Sequence, residues 1–428
     1  MQIRFEEMEW LIRNSLVGIT MLFLLVLIMR KKQDREENWA IFYSALWAFL
    51  SLLAVNWLCV NWGLWNFLSA PAIRIPYDLL FIWVIAWGVI PTILMKGKHL
   101  WIIALILFWV DLAYMPVLES LGILELKSAW IIGEVLIVLA VFVPAYLWAR
   151  WSLTKTHMGL RSLFQVLCMA FIYCIAIPFV TLLYFPQTSN WTAWYTPYII
   201  QLGIIIVMPA IVAVKDLFDK GRGTPFPYDP TSKLVRTGVY AYIRNPIQWS
   251  LTLLFMPLAI LYSSPMLLMG ILVSLAYTLG VSNPQEFDDM EERFGTEWVT
   301  YKRSVPAWRF LWRPTNMPEG IIYFKETCNA CSQIRSWFEK RNPVKLEFRH
   351  AEDYQGERLF QVTYYDNHGE ASTGVKAIAS ALEHINLACA SLGWFMRLPG
   401  IMQLLQLIVD SMGYSDGADI PGDKDNLN

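Results

Sequence analysis

Nine stretches of this chain run for about 17 to 23 residues each with hardly a charge among them: roughly 10–29, 39–58, 78–95, 99–118, 129–149, 163–185, 197–214, 247–263 and 265–282. A hydrocarbon layer about 30 Å thick takes about 20 helical residues to cross, so segments of this length and apolarity read as membrane spans. The first is not a cleavable signal. It lacks a small-residue cleavage site and is followed by Arg30-Lys31-Lys32, a stop-transfer flank. Composition agrees: of 428 residues, 56% are hydrophobic and 16% charged, with a net charge of −1. Up to Ser282 there are 19 Lys/Arg and 14 Asp/Glu, whereas the remaining 146 positions hold 15 and 21, about twice the density. A membrane part is joined to a polar part, and near-neutral charge without a basic block argues against a nucleic-acid partner.

The connecting loops test the count. Loops 30–38, 96–99, 150–162 and 215–246 carry 15 Lys/Arg, while the alternate segments 1–9, 59–77, 119–128, 186–196 and the turn at Ser264 carry 3. Strict alternation of this kind supports the number of spans and their orientation together, with the N-terminus outside and the 215–246 loop and C-terminal tail cytoplasmic. Asp78, Asp111 and Glu134 fall at or inside spans. Carboxylates there are costly, which makes them functional candidates, although an interfacial position or a bond within the bundle is the simpler account of Asp78 and Asp111 and an equal one for Glu134.

The stretch richest in chemistry is KGRGTPFPYDPTSKLVRTGVYAYIRNPIQWS, Lys220 to Ser250, followed after two spans by NPQEFDDMEERFGTEWVTYKRSVPAW, Asn283 to Trp308. The two spans form a hairpin with only Ser263-Ser264-Pro265 between them, so Arg244 and Glu286 leave the membrane at neighbouring points. Pro246 suits a first helical turn, where its missing N–H is no loss. The unpaired N–H groups of that turn, with Arg244, suit an anionic group, and Glu286 suits a cationic or hydroxyl-bearing one. A cofactor with an amino-acid head and a ribose would match the pair. Read without chemistry, the same punctuation is a loop between spans and a solvated acidic helix.

Leu234-Val235, Gly238-Val239-Tyr240, Arg244-Asn245-Pro246, Glu286, then Phe294-Gly295 with Trp298 and Tyr301 resemble, in order and spacing over about residues 200–314, the membrane methyltransferases of the isoprenylcysteine carboxyl methyltransferase type, relatives of the phospholipid methyltransferases. The resemblance implies a cytoplasm-facing site for S-adenosyl-L-methionine lined by Ser232, Lys233, Leu234, Val235, Tyr240, Asn245, Pro246 and Glu286. Arg244 would shape that site or meet the cofactor carboxylate, and Arg244 and Glu286 would be its catalytic residues. Methyl transfer needs nucleophile and methyl held about 3–3.5 Å apart and shielded from water. Asn245 stands where many members have His, and Phe287 replaces a second Glu. The Arg that prenylcysteine-specific members carry before Glu286 is absent from Val281 to Gln285, which argues against a prenylcysteine carboxylate as acceptor.

Past a polar hinge ending at Glu319, Gly320 to Phe324 reads as a buried strand running into Cys328-Asn329-Ala330-Cys331 and a helix. Lys345 to Arg349 and Gln361 to Tyr365 read as strands, Asp366 to Gly369 as a turn, and Gly374 to His384 and Leu387 to Asp410 as helical. A Cys at a helix N-terminus is favoured as thiolate. The segment resembles the DCC-type thiol–disulfide oxidoreductases, which are thioredoxin-like, through this Cys-x-x-Cys, Gly374 with Ala377, and Leu398-Pro399-Gly400-Ile401. Zinc would need two more ligands, and Cys389, His350, His368 and His384 show no paired spacing. Inert core cysteines remain an alternative, as they are for Cys59, Cys168 and Cys174. The Gly/Asp-rich end after Asp410 reads as disordered.

The expectation is a polytopic α-helical membrane protein of about nine transmembrane helices with a C-terminal α/β thioredoxin-like cytoplasmic domain. Its parts are 1–196 (scaffold or substrate chamber), 197–314 (methyltransferase), 320–411 (thioredoxin-like) and a 412–428 tail. Its expected setting is a bacterial inner membrane. Its expected partners are the lipid bilayer, an amphipathic or lipid-like methyl acceptor and a cytoplasmic thiol reductant acting on Cys328 and Cys331, with no metal. Two rivals stand beside it: a membrane-tethered thiol–disulfide oxidoreductase whose methyltransferase-like helices are non-catalytic, and a transporter-like binding protein using Asp111 and Glu134.

Overall fold

The computed structural model describes residues 14, 15, 17–22, 24–26, 34–68, 75–94, 99–187, 191–226, 231–326, 329–355, 359, 361–367 and 369–411, with the side chains of 277, 281–288, 329 and 330 outside that description. The chain divides into two compact units, Met1–Ile177 and Pro178–Asn428. Six helices among the described residues are long and apolar enough to cross a membrane: α1 Arg35–Asn61, α2 Tyr77–Leu94, α3 Leu100–Ser120, α4 Trp130–Thr154, α5 Met158–Tyr184 and α6 Thr196–Asp219. Two further expected spans are shorter apolar helices, α7 Pro246–Leu261 and α8 Pro265–Gly280, and the first expected span is represented by a short apolar helix over Val17–Val26. The chain is thus mostly helical and has the build of a polytopic membrane protein.

Three spans of the scaffold carry the same local defect for the same reason. Wide turns at Ile85–Val89, Ile137–Phe142 and Ile172–Ala176 each lie just before a proline, Pro91, Pro144 and Pro178. A proline has no N–H to give to the carbonyl four residues back and crowds it, so the helix loosens by one residue there. Those four-back carbonyls, at Trp87, Ala140 and Cys174, all fall inside the wide turns. In an apolar medium a released carbonyl needs a new donor. Ala140 finds it in the indole Nε1 of Trp47, 2.9 Å away on α1, and the neighbouring Gly88 carbonyl accepts from Ser44 and Thr92 hydroxyls, each at 2.9 Å.

The first unit packs around Trp65, Trp83, Trp87, Phe142 and Tyr146. Two short strands absent from the sequence reading, β1 Trp65–Phe67 and β2 Leu124–Leu126, pair antiparallel with Trp65 opposite Leu126. Asp111 and Glu134 are both buried in this unit, and their carboxyl groups meet.

In the second unit α6, α7 and α8 lead to α9, Asn283–Ser304, which kinks at Gly295, where φ 52 and ψ −128 are outside the helical range. A four-stranded sheet follows in the order β4-β3-β5-β6, built from β3 Gly320–Phe324, β4 Leu346–His350, β5 Thr363–Tyr365 and β6 Ala371–Thr373. β3 and β4 are parallel, as the intervening helix α10, Asn329–Glu339, requires. β5 pairs antiparallel with β3 on one side and with β6 on the other. Helices α10 and α11, the latter Gly374–Leu382, pack on the sheet, and Ile322, Phe324, Phe338, Tyr364, Ala377 and Ala381 share one core.

The helix expected from Leu387 to Asp410 is two: α12 Leu387–Met396 and α13 Ile401–Ser411, bent by 86°. The break falls at Leu398-Pro399-Gly400, where proline stops the hydrogen-bond ladder and Gly400 takes φ 84.

Candidate active site

The segment between α6 and α7 wraps back on itself. The backbone N–H groups of Ser232 and Lys233 both reach the Gly221 carbonyl, at 2.8 and 3.3 Å, so the chain leaving α6 folds against its own start. Leu234 then packs on one face of α9 with Met290, Phe294, Trp298, Tyr301 and Val305, and Val235 is buried. These contacts explain the amphipathic pattern of α9: its apolar side is a seat for the 231–236 strip rather than a lipid-facing surface. Arg293 reinforces the seat by donating to the Thr231 carbonyl, and Arg236 pairs with Glu297 at 2.7 Å.

Gly238 opens the next turn at φ 65, a conformation open to glycine at little cost, and Gly238–Ala241 closes as a tight helical turn. Its last residues return to α9, because the Tyr301 hydroxyl donates to the Tyr240 carbonyl at 2.9 Å. Arg244 is held by both backbone and side chain. Its N–H meets the Pro306 carbonyl at 2.9 Å, its Nη1 donates to the carbonyl of Lys302 at 2.9 Å and of Val305 at 3.4 Å, and its guanidinium lies 5.8 Å from the Trp298 ring centroid. The carbonyls at a helix C-terminus have no intrahelical donors, so Arg244 completes the end of α9. Asn245 is buried and begins α7 without its side chain capping the first turn, with Pro246 buried at the first helical position.

The structure therefore brings Leu234, Tyr240 and Arg244 onto α9, with Val235, Asn245 and Pro246 buried beside them in the chain. Ser232 is exposed and Lys233 half-buried at the edge of the same strip. Glu286 lies on α9, but its side chain is outside the described residues, as are Cys328, residues 227–230, His368 and the tail. Cys331 is half-buried in the first turn of α10 and packs on the sheet core.

Three charged residues absent from the sequence reading join the site from behind. Asp216, in the last turn of α6, is buried against Arg397, whose Nη1 is 3.0 Å from its Oδ1, and Arg397 also pairs with buried Glu383. An acid one turn inside the end of an apolar span was their sole sequence signal. Glu326, His350 and Glu352 present ligating atoms within 4.8 Å of one another. Their atoms already serve the protein: Glu352 accepts the Glu326 N–H at 3.1 Å, and His350 Nε2 lies 3.0 Å from Arg335 Nη1.

Fold and site together define a polytopic helical protein in which the turn entering the α7–α8 hairpin is clasped by the amphipathic helix that leaves it. Residues 191–297 match the profile of the phospholipid methyltransferase family, which covers α6, the turn, α7, α8 and the first part of α9. No curated protein and no solved structure matches the chain.

Proposed function

We propose that this chain is an integral-membrane S-adenosyl-L-methionine-dependent methyltransferase acting on an amphipathic or lipid-like acceptor. The observation that carries the reading is a coincidence of two independent facts: the family match ends on α9, and the segments it covers are those that α9 gathers into one site.

The residues present suit the cofactor. The first turn of α7, entered through Asn245 and Pro246 and left uncapped by the Asn245 side chain, offers N–H groups to a carboxylate or hydroxyl. The Leu234–Val235 strip and Tyr240 supply an apolar wall for a nucleoside, and Glu286 is the partner for its amino or ribose groups. Arg244, engaged with the carbonyls of Lys302 and Val305, shapes the wall rather than reaching for the ligand. When bound, the cofactor supplies an electrophilic methyl on a sulfonium. The protein's part is to hold that methyl in line with the acceptor and to keep water away.

The C-terminal part of the second unit, Gly320–Ser411 (called the C-terminal unit), is read as a thioredoxin-like thiol–disulfide domain. Its support is the sheet order β4-β3-β5-β6 with a parallel β3/β4 pair, and Cys331 in the first turn of the helix that follows β3. The same features favour the second reading, a membrane-tethered oxidoreductase with non-catalytic helices. The basic loops support a cytoplasmic position for this unit and an outside N-terminus.

Equilibrium binding of labelled S-adenosyl-L-methionine to the purified full chain separates the two. Saturable binding that is lost in Glu286→Ala and Tyr240→Ala is expected. Its absence from the wild-type protein rejects the methyltransferase reading.

A further inference from the structure

Glu383 lies outside the family match, in the turn after α11, yet it holds both ends of the Gly238–Tyr242 turn. Its backbone carbonyl accepts the Tyr242 hydroxyl at 2.7 Å, and its carboxylate accepts the Gly238 N–H. Its carboxylate also pairs with Arg397, which forks onto Asp216 at 3.0 and 3.5 Å. Lys220 closes the circuit: its Nζ is 3.3 Å from Asp216 and 2.8 Å from the Thr237 hydroxyl, one residue before Gly238. Two acids and two bases are thus arranged around one glycine, and the side chains of Asp216, Glu383 and Arg397 are at most 4% exposed. Such a cluster is stable with all partners present and costly with one removed.

The apolar surroundings follow the same line. The Tyr242 ring meets Trp394 of α12 edge-on at 5.6 Å, and Phe310, between Trp249 of α7 and Trp394, bridges the two. Backbone bonds run from Leu311 to the Tyr242 carbonyl at 2.9 Å and from Leu387 to the Trp312 carbonyl at 2.8 Å. The turn that the methyltransferase reading assigns to the cofactor is therefore seated on the C-terminal unit as firmly as on α9.

We propose that Arg397 and Glu383 are positioning residues of the methyltransferase site, supplied by the C-terminal unit to fix the Gly238–Tyr242 turn against α6. The inference rests on the proposed activity for its consequence but on the buried cluster for its geometry, and the two are tested apart.

The test uses the full chain in detergent micelles, with hydrogen–deuterium exchange across 238–242 and equilibrium binding of S-adenosyl-L-methionine as separate readouts. In Arg397→Met, exchange of the turn is expected to accelerate about tenfold or more, with α1 unchanged. Cofactor affinity is expected to fall about tenfold or more, and Arg397→Lys, which keeps a charge between the two buried acids but not the fork, to recover only part of that loss. Tyr242→Phe removes one hydroxyl at the far end of the turn and is expected to move both readouts in the same direction, which guards against a misfolded Arg397 variant. Unchanged exchange in both variants overturns the clamp. Faster exchange with unaltered affinity overturns the positioning role. If the wild-type chain binds no cofactor, the activity reading fails and with it the positioning role, while the exchange data still decide the clamp.

Discussion

Arg244 Nη1 donates to the main-chain carbonyl of Lys302 across 2.9 Å, so the basic residue of the Arg-Asn-Pro motif ends a helix 58 positions further along the chain. Replacing it by Lys keeps the charge but gives up the planar guanidinium that reaches both carbonyls from Nη1 and lies 5.8 Å from the Trp298 ring centroid. Arg244→Lys is therefore expected to behave more like Arg244→Ala than like wild type. Each should lose about 1.5–3 kcal/mol of stability, the range for hydrogen bonds from a charged donor, and bind S-adenosyl-L-methionine at least several-fold more weakly. Thermal melts followed by tryptophan fluorescence, with binding on the same preparations, check this.

Gly238→Ala places a methyl group 2.0 Å from Asp216 Oδ2 in a backbone conformation of φ 65. The left-handed region alone costs a non-glycine residue about 1–2 kcal/mol, and relief of the contact has to push on a buried ion pair. A melting temperature several degrees lower is expected, with a larger drop than for Ala at Gly369, where a Cβ has open space at nearly the same φ of 76. Equal drops would mean that strain, not the Asp216 contact, dominates.

His384 is fully buried, and burial pushes its pKa down from 6.5 to about 4. Its Nδ1 donates to the Val344 carbonyl at 2.7 Å, which leaves Nε2 to accept from Tyr364 at 2.9 Å, the neutral ring in use on both sides. Between about pH 6.5 and 4 the unfolded chain takes up a proton that the folded one refuses. Stability from this group is complete above pH 6.5, falls as the pH drops through that window and is lost below about 4, for a total of about 3 kcal/mol. Denaturant melts of the full chain at stepped pH should show this slope, and His384→Gln should flatten it.

Trp47→Phe keeps a large ring on α1 but withdraws the donor that serves the Ala140 carbonyl. Hydrogen bonds between spans are worth about 0.6 kcal/mol on average and up to about 1.7. A loss in that range is expected in unfolding titrations. No loss would mean that the wide turn before Pro144 finds another donor.

Cys328→Ser is expected to remove thiol-probe labelling at that position and leave cofactor binding within about twofold of wild type, as independent sites require. Mass spectrometry of probe adducts on the intact chain reads the first effect. If Cys328 and Cys331 both resist the probe in the folded protein, the redox assignment goes.

How much of this could be read from sequence depends on the range over which each constraint acts. Bilayer thickness fixes the length of a span locally, so α1 to α6 emerge from a hydropathy scan, whereas α7 and α8 are apolar but shorter than the expected 247–263 and 265–282 implied. Strands β3 and β4 fall within a residue of their expected places because both are short, β3 being apolar and β4 alternating apolar Leu346 and Phe348 with charged Glu347 and Arg349. The bend between α12 and α13 was written in Pro399-Gly400, yet apolar residues on both sides disguised it as one helix. Strands β1 and β2 pair loops 59 residues apart in register, a distance at which local pattern carries no signal. The same holds for Asp216 and Arg397, 181 positions apart. Within the site, the motif residues were legible by spacing, while the use of Arg244 as a helix terminator was not, since its acceptors are backbone atoms that any residue would supply.

Met208, Val212 and Ala213 of α6 share a single apolar cluster with Tyr242, Phe310, Met317, Ala390 and Trp394. A chain severed at the polar hinge before β3 would leave each fragment with half of that cluster wet, and neither would keep the shape it has in the whole. The hinge is thus not a tether between stand-alone modules: without the segment beyond it, the Gly238–Tyr242 turn loses the floor on which it rests.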